Sequence, residues 1–194
     1  PTAFAGTDTS VCYGLSATLQ ASGGTTYAWS PAAGLSATNI SNPVANPTIT
    51  TSYIVTVTSS CGTATDDVNL TIDPLPVPNA GPTSFICQGT NCTINAYNGT
   101  SYSWSPSSGL SATNVSSPVA SPLVTTLYTV TVTNANGCIQ TDTVSVILNA
   151  LPIAEAGPDV LICNSTSTNL NGSGGITYNW SPSAGLSAIN IFNP

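Results

Sequence analysis

Lysine, arginine, histidine and methionine are absent from this sequence, and the missing cations exclude whole classes of function. Catalytic arrangements that activate a nucleophile with His or Lys cannot be assembled without those residues. Neutralising nucleic-acid phosphates, or attracting anionic lipid, also requires Lys or Arg. We therefore predict that the chain is not an enzyme, carries no cofactor and binds no nucleic acid.

Charge of either sign is scarce. Charged residues make up 4% of the chain, against about 25% in ordinary soluble domains. Apolar residues reach 41%, but no run approaches the ~18 consecutive apolar residues of a membrane span, so direct membrane insertion is not expected. Short alternating runs of Val, Ile, Thr and Tyr favour a folded β protein over a disordered one.

One phrase is written three times, as "TYAWSPAAGLSATNISNP", "SYSWSPSSGLSATNVSSP" and "TYNWSPSAGLSAINIFNP". Its tryptophan recurs at intervals of 75 and 76 residues, and the flanking segments recur with it. Such a period is the signature of a repeat architecture. It predicts two complete repeats and the N-terminal part of a third, at residues 1–75, 76–151 and 152–194.

The repeats have the pattern of antiparallel strands. In "SYIVTVTS", Tyr53, Val55 and Val57 alternate with Ile54, Thr56 and Thr58, and "DDVNLTID" (66–73) alternates in the same way. Two such runs separated by turn residues predict a β-hairpin, which the second repeat also contains. Many short strands, Gly/Pro turns and no helical period predict an all-β chain of tandem immunoglobulin-like antiparallel β-sandwich repeats.

The aromatic residues of the repeated phrase have two interpretations. A tryptophan on the third strand of a sandwich is a common core anchor, and a tyrosine two residues earlier shares its face. Exposed aromatic rings could instead stack on sugars, as in a carbohydrate-binding module. We favour the core for all six: Trp29, Trp104, Trp180, Tyr27, Tyr102 and Tyr178.

Five of the six cysteines fall in two columns of the repeat. Cys12, Cys87 and Cys163 share one column, and Cys61 and Cys138 share the other. Repeat symmetry predicts bonds within repeats, Cys12–Cys61 and Cys87–Cys138, with the partner of Cys163 beyond residue 194. Such disulfides predict an oxidising, extracellular location.

Cys92 stands outside both columns. It shares the parity of Ile94, which predicts a small apolar side chain pointing inward. The alternative is a reactive or intermolecular thiol. A zinc site is not expected, because Cys87 and Cys92 are five residues apart and no His is present to complete the ligands.

The acidic residues offer little chemistry. Asp66 and Asp67 are neighbours on a strand and so point to opposite faces, which predicts solvated edge residues rather than a catalytic pair. Calcium sites collect several carboxylates among their oxygen ligands. Asp8 and Asp159 share a column and Glu155 lies at the start of the third repeat, so these three are weak calcium candidates at the repeat junctions.

The segments "PIAEAGPDVLIC", "TYNWSPSAGLS" and "TLYTVTVTNANGCIQTDTVSVIL" carry a resemblance to a known repeat type. They resemble the PKD-like, immunoglobulin-like repeats of Bacteroidota cell-surface adhesins, including gliding-motility adhesins exported by type IX secretion. The resemblance implies a bacterial surface location and an O-glycosylation site at Thr143, in "DTV". The absence of Lys departs from ordinary members and excludes Lys-based isopeptide cross-links.

These observations together predict a stalk or fibre that holds a binding or sorting region away from the cell. Its expected partners are other copies of the same repeat and surface glycans. Two alternatives remain open: a carbohydrate-binding module, or a surface filament in which neighbours complete one another by strand exchange.

Overall fold

The computed structural model describes all 194 residues and contains no helix. Strands β1 to β6 span Thr9–Cys12, Ala17–Thr18, Thr26–Ser30, Val44–Ala45, Thr51–Ser59 and Gly62–Asp73. Strands β7 to β12 span Ser84–Cys87, Cys92–Thr93, Ser101–Ser105, Val119–Ala120, Thr126–Thr133 and Ile139–Asn149. The structure has no helix that could cross a membrane.

Each of the first two repeats forms one sandwich with two layers. The larger sheet has the order β1-β6-β5-β3 in the first repeat and β7-β12-β11-β9 in the second. The smaller sheet pairs β2 with β4, or β8 with β10. A larger sheet that contains the order β3-β5-β6, or β9-β11-β12, and faces a second sheet is the immunoglobulin-like arrangement. The predicted fold class is confirmed.

The long hairpin supplies five of the ten buried residues of the first core and five of the eleven of the second. Tyr53, Val55 and Val57 on β5 are fully buried, as their alternation predicts. Tyr128, Val130 and Val132 occupy the same places on β11. Opposite them lie side chains of the smaller sheet and of its flanking segments: Leu19, Ala21 and Ala45 in the first core, Ile94, Ala96 and Ala120 in the second. The two cores are separate clusters.

One edge of each large sheet differs from the antiparallel prediction. Strand β1 pairs parallel to β6, with Cys12 opposite Asp73. Strand β7 pairs parallel to β12, with Cys87 opposite Asn149. Each first strand therefore ends at the same end of the sandwich as the last strand, where the chain leaves for the next repeat. This geometry decides which cysteines can meet.

The stretch 152–194 contains turns and one isolated bridge but no strand. Two segments of this stretch meet at Glu155 and Ser173, which exchange two backbone hydrogen bonds. The same bridge joins Phe4 to Ser22 and Asn79 to Tyr97. The third stretch thus repeats the local turns of the first two without their sheets.

Candidate functional site: the junction of the first two repeats

Each repeated phrase folds as a loop around its tryptophan. Trp29 and Trp104 are 4% and 3% exposed. The indole N–H of Trp29 donates to the carbonyl of Ile40 at 2.9 Å, and that of Trp104 to the carbonyl of Val115 at 3.0 Å. A buried indole N–H needs such a partner. These two rings hold the loop against the core and offer no open face to a sugar.

The third copy of the phrase keeps the same local bonds. The indole N–H of Trp180 donates to the carbonyl of Ile191 at 2.8 Å, although the ring is only half-buried. The paired tyrosines are half-buried in all three copies. Their hydroxyls donate to glycine carbonyls three residues earlier, in the pairs Tyr27–Gly24, Tyr102–Gly99 and Tyr178–Gly175.

A buried tyrosine of the long hairpin fastens the loop at another point. The hydroxyls of Tyr53 and Tyr128 donate to the carbonyls of Ala33 and Ser108, each at 2.8 Å. Both side chains are fully buried, and this burial raises the pKa of each hydroxyl above its ordinary value of 10.0. The loop is therefore fixed at two points of the core by donors from two different strands.

An aspartate within the last strand of each complete repeat has a structural role that sequence reasoning missed. Asp66 is half-buried, and its Oδ2 accepts the backbone N–H of Ala5 at 2.8 Å. Asp142 accepts the N–H of Ala80 at the same distance. The prediction of a solvated edge residue is therefore wrong for Asp66. The available signal was the column shared by Asp66 and Asp142, since Asp67 has no acidic counterpart.

The calcium candidates are not brought together. Asp8 Oδ1 accepts the backbone N–H of Asn69 at 2.9 Å, so this carboxylate fastens the first strand to β6. Glu155 and Asp159 are exposed in the third stretch. No group of three or more Asp, Glu or Cys side chains lies close enough to hold a metal ion. Thr143, the residue of the O-glycosylation motif, is exposed on β12.

The disulfide of the structure joins the two repeats instead of closing one of them. Cys12 bonds to Cys138, with the two Cα atoms 5.5 Å apart. Cys61 and Cys87 are exposed free thiols, as is Cys163. The predicted pairings Cys12–Cys61 and Cys87–Cys138 are therefore wrong.

The parallel edge strands explain the error. Cys12 lies beside Asp73 at the end of β6, whereas Cys61 lies in the turn before β6 begins. A strand of this length spans roughly 35 Å at ~3.3 Å per residue. A disulfide requires Cα atoms within about 7 Å. Cys87 and Cys138 are separated along β12 in the same way.

The turn that carries Cys138 also docks onto the linker between the repeats. The Asn134 side chain donates to the carbonyl of Pro74 at 2.9 Å. The Asn136 side chain donates to Asp73 Oδ1 at 2.6 Å. Asn134 Oδ1 in turn accepts the backbone N–H of Cys138 at 2.9 Å, which fixes the turn itself. Cys138 is 1% exposed and Cys12 is half-buried.

Cys92 takes the inward position expected of it. It opens β8, is half-buried and packs against the second core beside Ile94. It forms no disulfide. The distinctive chemistry of the chain therefore lies in the two cysteine columns and in the turn and linker at the junction.

No protein-family model matches this chain, and no curated protein matches it significantly. Among solved structures, extracellular domains 3–5 of Drosophila OTK are 11% identical with a TM-score of 0.45, the alignment covering 74% of this chain and 59% of that one. An I-band fragment of titin is 12% identical with a TM-score of 0.43, covering 93% and 80%. The insect immune protein hemolin is 16% identical with a TM-score of 0.39, covering 75% and 46%. Likenesses this low carry no information on what the chain does.

Proposed function

We propose that this chain is a structural segment of an extracellular surface protein, a stalk or fibre whose repeats hold a binding or sorting region away from the cell. In this proposal the repeats are residues 1–75, 76–151 and the start of another at 152–194. The role is mechanical and not enzymatic. The partners of each repeat are its neighbours in the array.

The observation that carries the proposal is the covalent junction. The linker at Pro74–Leu75–Pro76 is short and rich in proline, which makes it stiff. The Cys12–Cys138 bond adds a second connection between the repeats, and the asparagine contacts of the turn add two hydrogen bonds. Two connections at separate points resist bending and twisting far better than one linker. A spacer needs this property, whereas a module that binds a ligand on its own does not.

The location is supported by two features of the chain. A disulfide persists in an oxidising compartment, which favours an extracellular site. The resemblance of the repeated segments to PKD-like repeats of Bacteroidota adhesins supports a bacterial cell surface and export by type IX secretion. On that basis Thr143, exposed on β12, is the candidate site of O-glycosylation.

The burial of the tryptophans bears on one of the two alternative functions. A carbohydrate-binding module that uses the repeated tryptophan is disfavoured, because Trp29 and Trp104 are buried and their indole N–H groups are already bonded. Strand exchange between neighbours stays an alternative prediction.

Small-angle X-ray scattering tests the spacer function. We expect the oxidised chain to scatter as an extended particle of one shape, and Cys138→Ser to give a broader distribution of interatomic distances, because the second connection is lost. Cys92→Ser is the matched control, since Cys92 lies away from the junction, and it should scatter like the parent chain. Equal flexibility of the parent chain and Cys138→Ser would contradict the proposal.

A further inference from the structure

Cys87 occupies the same place in the second repeat as Cys12 in the first. Each ends the edge strand that runs parallel to the last strand, with Cys12 opposite Asp73 and Cys87 opposite Asn149. Cys12 is bonded to the turn of the following repeat. Cys87 is an exposed free thiol at the corresponding end of its own sandwich.

The surface that receives the turn is also repeated at the end of the second sandwich. Asn149 stands where Asp73 accepts the hydrogen bond from Asn136, and its amide oxygen can accept the same bond. The carbonyl of Ala150 stands in the place of the Pro74 carbonyl. Leu151 and the proline after it continue the linker as in the first junction. The backbone and side-chain acceptors that hold the Asn134–Cys138 turn are therefore present a second time.

We propose that Cys87 is one half of a second inter-repeat disulfide, and that its partner is the turn cysteine of an adjoining repeat of the same type. Cys61 has the other role: it is the turn cysteine of the first repeat, and its partner is the edge-strand cysteine of a preceding repeat. It lies exposed in the β5–β6 turn, the hairpin turn that corresponds to the one carrying Cys138. This inference deepens the proposed spacer function and rests on it for its setting, an array of such repeats.

Overlap of consecutive disulfide loops follows from this arrangement. The Cys12–Cys138 bond encloses Cys87 within its loop. A bond from Cys87 to the next repeat would close a second loop, which starts inside the first loop and ends beyond Cys138. The two loops would therefore overlap in sequence. Every repeat would then be tied covalently to both neighbours by more than its linker. When such an array is pulled at its ends and its repeats unfold, less chain can be extended than in an array whose repeats are joined only by linkers.

The chemistry is thiol–disulfide exchange. The Cys87 thiolate attacks a disulfide oxidant such as oxidised glutathione, forms a mixed disulfide and releases one glutathione thiol. The turn cysteine of the adjoining repeat then attacks the mixed disulfide and releases the second glutathione. Two protein thiols are oxidised, two electrons pass to the oxidant and two glutathione thiols are formed.

The test is to insert a second copy of residues 76–151 after Leu151, leaving the whole chain in place on either side. That copy contains all the residues of the second core, which is a closed cluster of its own. After refolding with reduced and oxidised glutathione, peptic digestion at low pH and mass spectrometry identify the bonds. We expect Cys87 to be bonded to the inserted copy of Cys138, and Cys12 to remain bonded to the original Cys138.

Two further chains keep the result decisive. With the inserted copy of Cys138 replaced by serine, Cys87 should return to a thiol that iodoacetamide alkylates completely. With the copy of 76–151 placed before Pro1 instead, its copy of Cys87 should bond to Cys61. Free Cys87 and free Cys61 in the two extended chains, or bonding of Cys87 to Cys92, to Cys163 or to the original Cys138, would overturn the proposal. Because the readout is bond identity, such a failure is distinct from a flexible junction in the scattering experiment.

Discussion

The second and third repeats carry almost the same tryptophan phrase, yet only the second closes a core. Trp104 and Trp180 each donate an indole N–H to a carbonyl eleven residues later. Ile86 is 5% exposed, whereas Ile162, its counterpart, is 51% exposed. The loop around the tryptophan is thus a local structure, and burial of the core depends on something else.

The missing element is the long hairpin. In the second repeat β11 and β12 contribute Tyr128, Val130, Val132 and Val146, all with no exposed surface. Residues 152–194 contain no segment of this kind. Local hydrogen bonds suffice to shape the tryptophan loop, whereas a β-sandwich is stabilised mainly by apolar area buried between its sheets. The difference between the two repeats separates these contributions.

Removing the tryptophan should affect the two repeats most unequally. Trp104→Ala deletes a fully packed side chain and should lower the free energy of unfolding by about 3–5 kcal/mol. Trp180→Ala removes a half-buried ring outside any closed core and should change the main transition little. Urea denaturation followed by far-UV circular dichroism measures both variants. Equal losses would show that the third stretch has a core comparable to the second.

Removal of the junction disulfide should have the next largest effect. Cys138→Ser opens a loop that spans both repeats, and cross-links of this kind stabilise by about 2–4 kcal/mol. Cys163→Ser, in the exposed and unbonded position of the third stretch, is the matched control and should leave stability unchanged. Thermal unfolding without reductant compares the two. A Cys138→Ser variant as stable as the control would argue against the bond.

Loss of the hydrogen bond from the Ala80 N–H to Asp142 should lower the free energy of unfolding less than loss of the disulfide. Asp142→Ala leaves the N–H of Ala80, a residue 1% exposed, without its acceptor, which costs about 1–3 kcal/mol. Asp142→Asn keeps an acceptor oxygen and should recover most of the loss. Asp159→Ala, an exposed aspartate of the third stretch, should be neutral. Chemical denaturation ranks the three, and an Asp142→Ala variant as stable as Asp159→Ala would remove this role.

The smallest effect concerns alkaline pH. Burial raises the pKa of Tyr53 and Tyr128 above 10.0, so the folded state binds the phenolic proton more tightly than the unfolded state. This contribution to stability is fully present below pH 10.0 and is lost as the pH rises from there through the raised pKa. Tyr128→Phe should flatten that dependence for the second repeat. Urea midpoints measured from neutral pH to pH values above 10.0 test this, with the parent chain as the reference.

The hairpins and the buried tryptophans could be predicted because their signals are local. Alternation of Tyr53, Val55 and Val57 indicates a strand with one buried face, and the repeat period transfers the prediction to β11. The position of Trp29 two residues after Tyr27 indicates the face that they share. Each of these predictions needs only neighbouring residues.

The junction could not be predicted, because it depends on the direction of a distant pairing. Columns of the repeat show which cysteines are equivalent, but not which end of the sandwich each one occupies. The parallel pairing of β1 with β6 moves Cys12 to the linker end, away from Cys61. The side-chain contacts of Asn134 and Asn136 have no counterpart in the shorter turn of the first repeat, so no repeated pattern revealed them.

Disulfide mapping of the oxidised 194-residue chain tests the central claim most directly. Trypsin has no cleavage site here, because Lys and Arg are absent, so pepsin at low pH is the suitable protease and also suppresses exchange. We expect one linked peptide pair containing Cys12 and Cys138, with Cys61 and Cys87 recovered as alkylated thiols. Recovery of Cys12 linked to Cys61 and of Cys87 linked to Cys138 would contradict the covalent junction between repeats.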